Sequence, residues 1–155
     1  MLDVILIALA LGLGMGGGEG AAPAVDVGGF QAEPQTPTGK FTTATEVKPI
    51  LGMTRANWVG VREYGGQDLI YFTHLLAWRC GVHQIRYGVN GDPMQVWDMP
   101  PCQDDTNTPN AIDTEYGLSY IARPLGNVRT LSVALLYDDM TTETADFQRS
   151  DILMP

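Results

Sequence analysis

"HQIRYGVNGDPMQVWDM", residues 83–99, is the stretch that decides the fold. Asn90-Gly91 is the preferred dipeptide for a two-residue type I′ turn, because both positions need positive φ. Apolar and polar residues alternate on either side, the period of a half-buried strand. A two-residue turn makes Val89 face Asp92, Tyr87 face Met94 and Ile85 face Val96. The last two pairs put apolar side chains on one face, so the register is self-consistent. His83 then faces Asp98, while Gln84, Arg86, Gln95 and Trp97 point away from the core.

Carried to its open end, the same ladder places Cys80 opposite Pro101, one residue short of Cys102. Pro100-Pro101 cannot donate to a ladder, so a one-residue slip is expected there, bringing Cys102 opposite Cys80. A Cys80–Cys102 disulfide would close a loop of about 23 residues and stabilise by roughly 3 kcal/mol on the chain-entropy model. The competing use of these residues is a copper or zinc centre built from His74, Cys80, His83 and Met94. The methionine lies too far along the hairpin for a copper site of cupredoxin type, and zinc would need both cysteines reduced. No metal and no cofactor are therefore expected. His83 is read as a hairpin residue pairing with Asp98, and His74 as a partly buried strand histidine.

The chain has 155 residues, enough for one ordinary domain, and its 18 glycines and 10 prolines come in clusters, which points to unstructured segments flanking a smaller folded unit. Residues 1–24 read as an export signal: an apolar run from Val4 to Met15 is followed by Ala22-Pro23-Ala24, a small-x-small cleavage pattern. As a helix that run spans about 18 Å, short of the roughly 30 Å of hydrocarbon in a bilayer. The segment lacks a basic residue before the run, which leaves an uncleaved anchor as the alternative. Residues 25–44, rich in Gly, Pro and Thr, are expected to be a flexible linker, and 45–155 to be the folded domain.

Within that domain Gly65-Gly66 separates "WVGVREY" from "DLIYFTHLLAW", two apolar runs read as strands, the second with Ile70, Phe72, Leu76, Trp78 and Cys80 on one face. "LSYIARPLG" is a further strand broken by Pro124, and a long hairpin around Asp138-Asp139 ends the domain. Thr45 is a candidate cap for a short helix that Pro49 and Gly52 weaken. Six or seven strands at short spacing predict an all-β fold, an antiparallel immunoglobulin-like β-sandwich. The pattern "VREYGGQDLIYFTHLLAWRCG", "IRYGVNGD" and a final "LLYDD" hairpin resembles small exported bacterial proteins of no known activity. The resemblance implies an exported sandwich and supplies no catalytic residues.

Nine basic against eighteen acidic residues give a net charge of −9, which argues against nucleic acid and against anionic lipid. Contact with a membrane is expected only through an uncleaved N-terminal segment. Ser119, Ser132 and Ser150 lack a nucleophile-elbow context, and Asp104-Asp105 and Asp138-Asp139 sit in turn-like segments. The loop "DDTNTPNAID" has oxygen donors but not the spacing of an EF-hand. The expectation is a periplasmic or secreted binding or assembly module, not an enzyme, with a protein partner. Trp97 and Arg86, flanked by Gln84 and Gln95, are the candidate contact patch, since Trp with Arg on one exposed face is the composition of an interface hot spot.

Overall fold

Gly65 and Gly66 adopt φ of 62° and 76°, conformations open to glycine without strain, and fold β1 (Gly60–Tyr64) back onto β2 (Gln67–Tyr71). In the computed structural model, which describes residues 28–155, β2 pairs in turn with β5 (Tyr120–Pro124). A second antiparallel sheet contains β3 (Val82–Val89), β4 (Gln95–Val96), β6 (Thr130–Tyr137) and β7 (Thr142–Gln148), in the order β4-β3-β6-β7. The protein is thus mostly β, with sheets of three and four strands whose apolar faces make one core, an arrangement consistent with a β-sandwich. Alternation along β6 puts Leu131, Val133, Leu135 and Tyr137 into that core, against Val61 and Ile70 of the first sheet and Ile85 and Val89 of β3. The expected signal segment, residues 1–24, lies outside the described residues.

Three expectations need correction. The first concerns the hairpin register. The turn itself is as expected, with Asn90 and Gly91 at φ of 56° and 81° and Asp92 N–H donating to Val89 O at 3.0 Å. Beyond it, however, Arg86 faces Val96, Tyr87 faces Gln95, and Trp97 N–H donates to Ile85 O at 2.8 Å, one residue out of the register set by the turn. Pro93 explains the difference: it has no N–H to give the ladder, so the strand takes up an extra residue before pairing resumes. A one-residue slip exchanges the two faces. Val96 therefore stands 52% exposed, and Trp97 is 7% exposed inside the core.

The second correction is at "DLIYFTHLLAW". The strand stops at Tyr71, followed by one helical turn, α2 (Thr73–Leu76), and a 3-10 turn at Arg79–Gly81. Leu75 and Leu76 are adjacent and both buried. A strand would send one of them to solvent, whereas a helical turn admits both.

The third concerns the expected linker. From Phe30 onward the segment is a strap laid against the domain. Phe30 stacks on His83 with 4.8 Å between ring centroids, and His83 Nε2 bonds Gln31 O at 2.8 Å. Glu33 N–H donates to Asp138 O at 2.7 Å, and Gln35 bridges Asp138 and Thr45. The strap leads into α1 (Ala44–Met53), whose cap is Thr43, not Thr45. Thr43 Oγ1 accepts from Glu46 N–H, and the Glu46 carboxylate accepts from Thr43 Oγ1 and from the N–H groups of Gly39, Phe41 and Thr42. Burial pushes the Glu46 carboxyl up, but these donors outweigh it and hold its pKa down at about 2. Ala44, Val47 and Leu51 face the core from this helix despite Pro49 in its interior.

Candidate functional site

Two consecutive residues, Arg79 and Cys80, fix the longest stretch without strand or α-helix among the described residues, the loop that leads from Trp97 to Ser119 and holds one 3-10 turn at Thr114–Tyr116. Arg79 is 1% exposed, and none of its hydrogen-bond partners is a carboxylate. Its Nε donates to Pro100 O at 2.9 Å, Nη1 to Leu76 O at 3.0 Å and Asn110 O at 2.8 Å, and Nη2 to Pro101 O at 2.8 Å and Ala111 O at 2.9 Å. Burial pushes the pKa of this guanidinium down, because a buried charge without a counter-ion is costly. Five carbonyl dipoles offset that cost, and they come from three separate stretches of chain. A guanidinium carries five N–H groups in a rigid fork, so this donor set is fully used.

Cys80 bonds Cys102, with 5.1 Å between their Cα atoms. Its N–H donates to Asn110 Oδ1 at 2.8 Å, and Asn110 Nδ2 donates onward to Phe41 O at 2.9 Å. Strap, 3-10 turn and loop therefore meet at one node. Inside the loop Gln103 N–H donates to Pro109 O at 2.9 Å and its side chain to Ala111 O at 2.9 Å. The loop exposes three large apolar side chains, Ile112, Tyr116 and Leu118, at 36%, 59% and 62%. Asp104, Asp105 and Glu115 are exposed on the same loop. No acidic residue stands at helical spacing from Arg79 to mark it in the sequence. The available signal was Pro100-Pro101, two carbonyls whose residues bring no N–H of their own.

The residues expected to form a contact patch are not brought together. Trp97 lies under the sheet, stacked on Phe72 at 4.3 Å and edge-on to Tyr87 at 6.2 Å. Arg86 faces Val96 on the opposite side of β3 and β4, so the expected Trp97–Arg86 pairing does not form. Gln84 is buried opposite Leu136, and Gln95 is exposed on the edge strand.

The metal reading loses its thiolate, since the Cys80 sulfur is bonded to Cys102. Its two histidines point to separate places. His74 bonds Thr54 Oγ1 at 2.9 Å, and burial lowers its pKa, whereas His83 is engaged with the strap and not with Asp98. Among the described residues no group of three or more His, Cys, Asp or Glu converges on a point. The serine hydroxyls have other company: Ser132 donates to Asp146 at 2.6 Å and Ser119 meets Thr73 at 3.1 Å.

Beside the disulfide a cleft of about 590 Å³ opens between strap and loop, lined by Thr36, Thr43, His83, Asp104 and Asp138 among others. Asp138 is buried, and burial raises its pKa. Its Oδ1 accepts from Gln35 Nε2 at 2.9 Å and from Ala44 N–H at 2.7 Å, so its visible work is to hold the strap. No family model, no curated protein and no solved structure matches this chain.

Proposed function

We propose that the protein is a non-catalytic binding or assembly module of an oxidising compartment, periplasmic or secreted, that recognises a protein partner through the loop from Trp97 to Ser119. The observation that carries this reading is the node at Arg79 and Cys80. A buried, five-coordinated guanidinium and a disulfide both hold a loop whose regular structure is a single 3-10 turn at Thr114–Tyr116, and a loop held on a rigid scaffold binds at lower entropic cost. The exposed Tyr116 and Leu118 give that loop apolar side chains that a partner could bury. The division of strands into β1-β2-β5 and β4-β3-β6-β7, with the chain crossing between sheets after β2, β4 and β5, supports an immunoglobulin-like sandwich. Such sandwiches carry their binding loops at the ends of the sheets. Export, with or without removal of residues 1–24, fits the bonded cysteine pair.

The test compares wild-type protein with a Tyr116→Ala/Leu118→Ala double variant as immobilised baits in extracts of the producing organism's envelope and medium. Wild type should retain a partner that the double variant loses, while the two melt within about 2 °C of each other, as surface substitutions do. Retention of the same proteins by both baits would remove this loop as the contact face.

A further inference from the structure

Asn90-Gly91-Asp92-Pro93 contains two chemically labile bonds in succession, and the fold treats them differently. Deamidation at Asn90-Gly91 needs the Asn90 amide to swing toward the Gly91 nitrogen. That amide is fully engaged: Oδ1 accepts from Arg129 N–H at 2.7 Å and Thr130 N–H at 3.1 Å, and Nδ2 donates to Asn127 O at 2.7 Å. The first bond is protected. The second lies where the chain has left the ladder. Asp92 and Pro93 are exposed and precede β4, and Pro93 has no N–H to pair. The Asp92 carbonyl rests against Gly88, where an added Cβ would sit 2.7 Å from its oxygen, so the backbone there is held inward. The Asp92 side chain is 65% exposed, with Arg123 Nη2 3.8 Å from Oδ2 as the nearest cation.

We propose that the Asp92–Pro93 peptide bond is a self-cleavage site of the folded domain, giving a two-chain form joined by Cys80–Cys102. A carboxylate oxygen of Asp92 attacks the Asp92 backbone carbonyl carbon and closes a five-membered anhydride. The carbon–nitrogen bond breaks, and the Pro93 nitrogen leaves with the electron pair and a proton from solvent. Water then opens the anhydride, leaving two carboxyl groups on Asp92; one water is consumed and no other reactant is needed. Acid promotes the step because the leaving nitrogen must be protonated, and the attack is intramolecular, which is worth many orders of magnitude in effective concentration.

The fold makes the product a stable species. The disulfide straddles the broken bond, joining the piece ending at Asp92 to the piece beginning at Pro93. β3 keeps its pairing with β6 from Gln84 to Val89, and Trp97 stays stacked on Phe72. Cleavage at a hairpin tip removes no core contact.

The experiment holds the purified, oxidised full chain in mildly acidic buffer beside Asp92→Ala and Pro93→Ala variants and a reduced, unfolded wild-type control. Wild type should gain the mass of one water without separating, split into two fragments only on reduction, and yield a fragment beginning Pro93-Met94-Gln95. The rate should not change on dilution, and Asp92→Ala should be slower by at least about tenfold. The proposal is overturned if folded wild type stays intact while the unfolded control is cleaved. It is equally overturned if Asp92→Ala is cut at the same rate, which would point to a contaminating protease.

Discussion

Replacing Arg79 by methionine isolates the node on which the proposed binding loop depends. Methionine preserves much of the side-chain volume and removes all five donors. The carbonyls of Leu76, Pro100, Pro101, Asn110 and Ala111 then lose their common partner. A hydrogen bond to a charged group contributes about 1.5–3 kcal/mol, and a buried acceptor left unmade costs about 1–3 kcal/mol. Summing five such terms would overstate the loss. Removing the guanidinium also removes its desolvation cost, and the loop carbonyls at Pro100, Pro101 and Ala111 regain water once the loop lifts. The carbonyls of Leu76 and Asn110 then set the remaining loss, about 2–6 kcal/mol at about 1–3 kcal/mol for each acceptor left unmade, against a typical total of about 5–15 kcal/mol. Urea unfolding of the oxidised protein reads it directly as a lower midpoint at an unchanged slope. Amide exchange should rise across the loop and little in β6. Arg79→Lys keeps the charge but supplies three donors from a single point, so it should recover under half of the loss. A loss below about 1 kcal/mol for Arg79→Met, or full recovery by lysine, would show that the forked geometry is not what holds the loop.

Three further outcomes follow from the same structure. Trp97→Ala should cost about 3–5 kcal/mol as a core truncation, and Val96→Ala less than about 0.5 kcal/mol; the reverse order in urea melts would restore the register without the Pro93 slip. The Cys80→Ala/Cys102→Ala variant should lose about 3 kcal/mol for a crosslink spanning 22 residues, and mass spectrometry of wild type should find no free thiol. Asp68 is fully buried, and its pKa is lowered from 3.8 to about 2, first by the Arg149 hydrogen bonds and then, against the opposing effect of burial, by Val128 N–H. A depressed carboxyl stabilises the fold above its unfolded pKa and loses that contribution as pH falls through its folded value. Wild type should therefore shed about 2 kcal/mol more than Asp68→Asn between about pH 4 and pH 2. Parallel pH profiles for the two proteins would remove this ion pair from the acid response.

The hairpin tip and the disulfide were legible in the sequence for different reasons. Asn90-Gly91 declares its turn because the required φ values exclude most other residues, a strictly local constraint. Extending the ladder with one slip at Pro100-Pro101 pairs Cys80 with Cys102. The structure takes a one-residue slip earlier, at Pro93, and Cys102 still arrives opposite Cys80. The position of the slip decides the fate of every residue between the two prolines. Placed at Pro93 it buries Trp97 and exposes Val96, and the expected patch at Trp97, Arg86, Gln84 and Gln95 dissolves with it. The strap and the node were illegible for a common physical reason. Gln35 reaches Asp138 across 103 residues and Arg79 reaches Ala111 across 32, and both bonds end on groups whose availability depends on the completed fold. Periodicity reports which face of an element is buried, but it carries no information about where a lone polar group in an irregular segment finds its partner. In this chain those partners hold the proposed site. A loop with no strand or α-helix offers little pattern of its own, and what rigidifies this one is a buried arginine bonded to backbone carbonyls. The informative residues in such a sequence are therefore those that break the rules of their element: a proline inside a hairpin, two leucines in a row at a strand end, an arginine with no acid in reach.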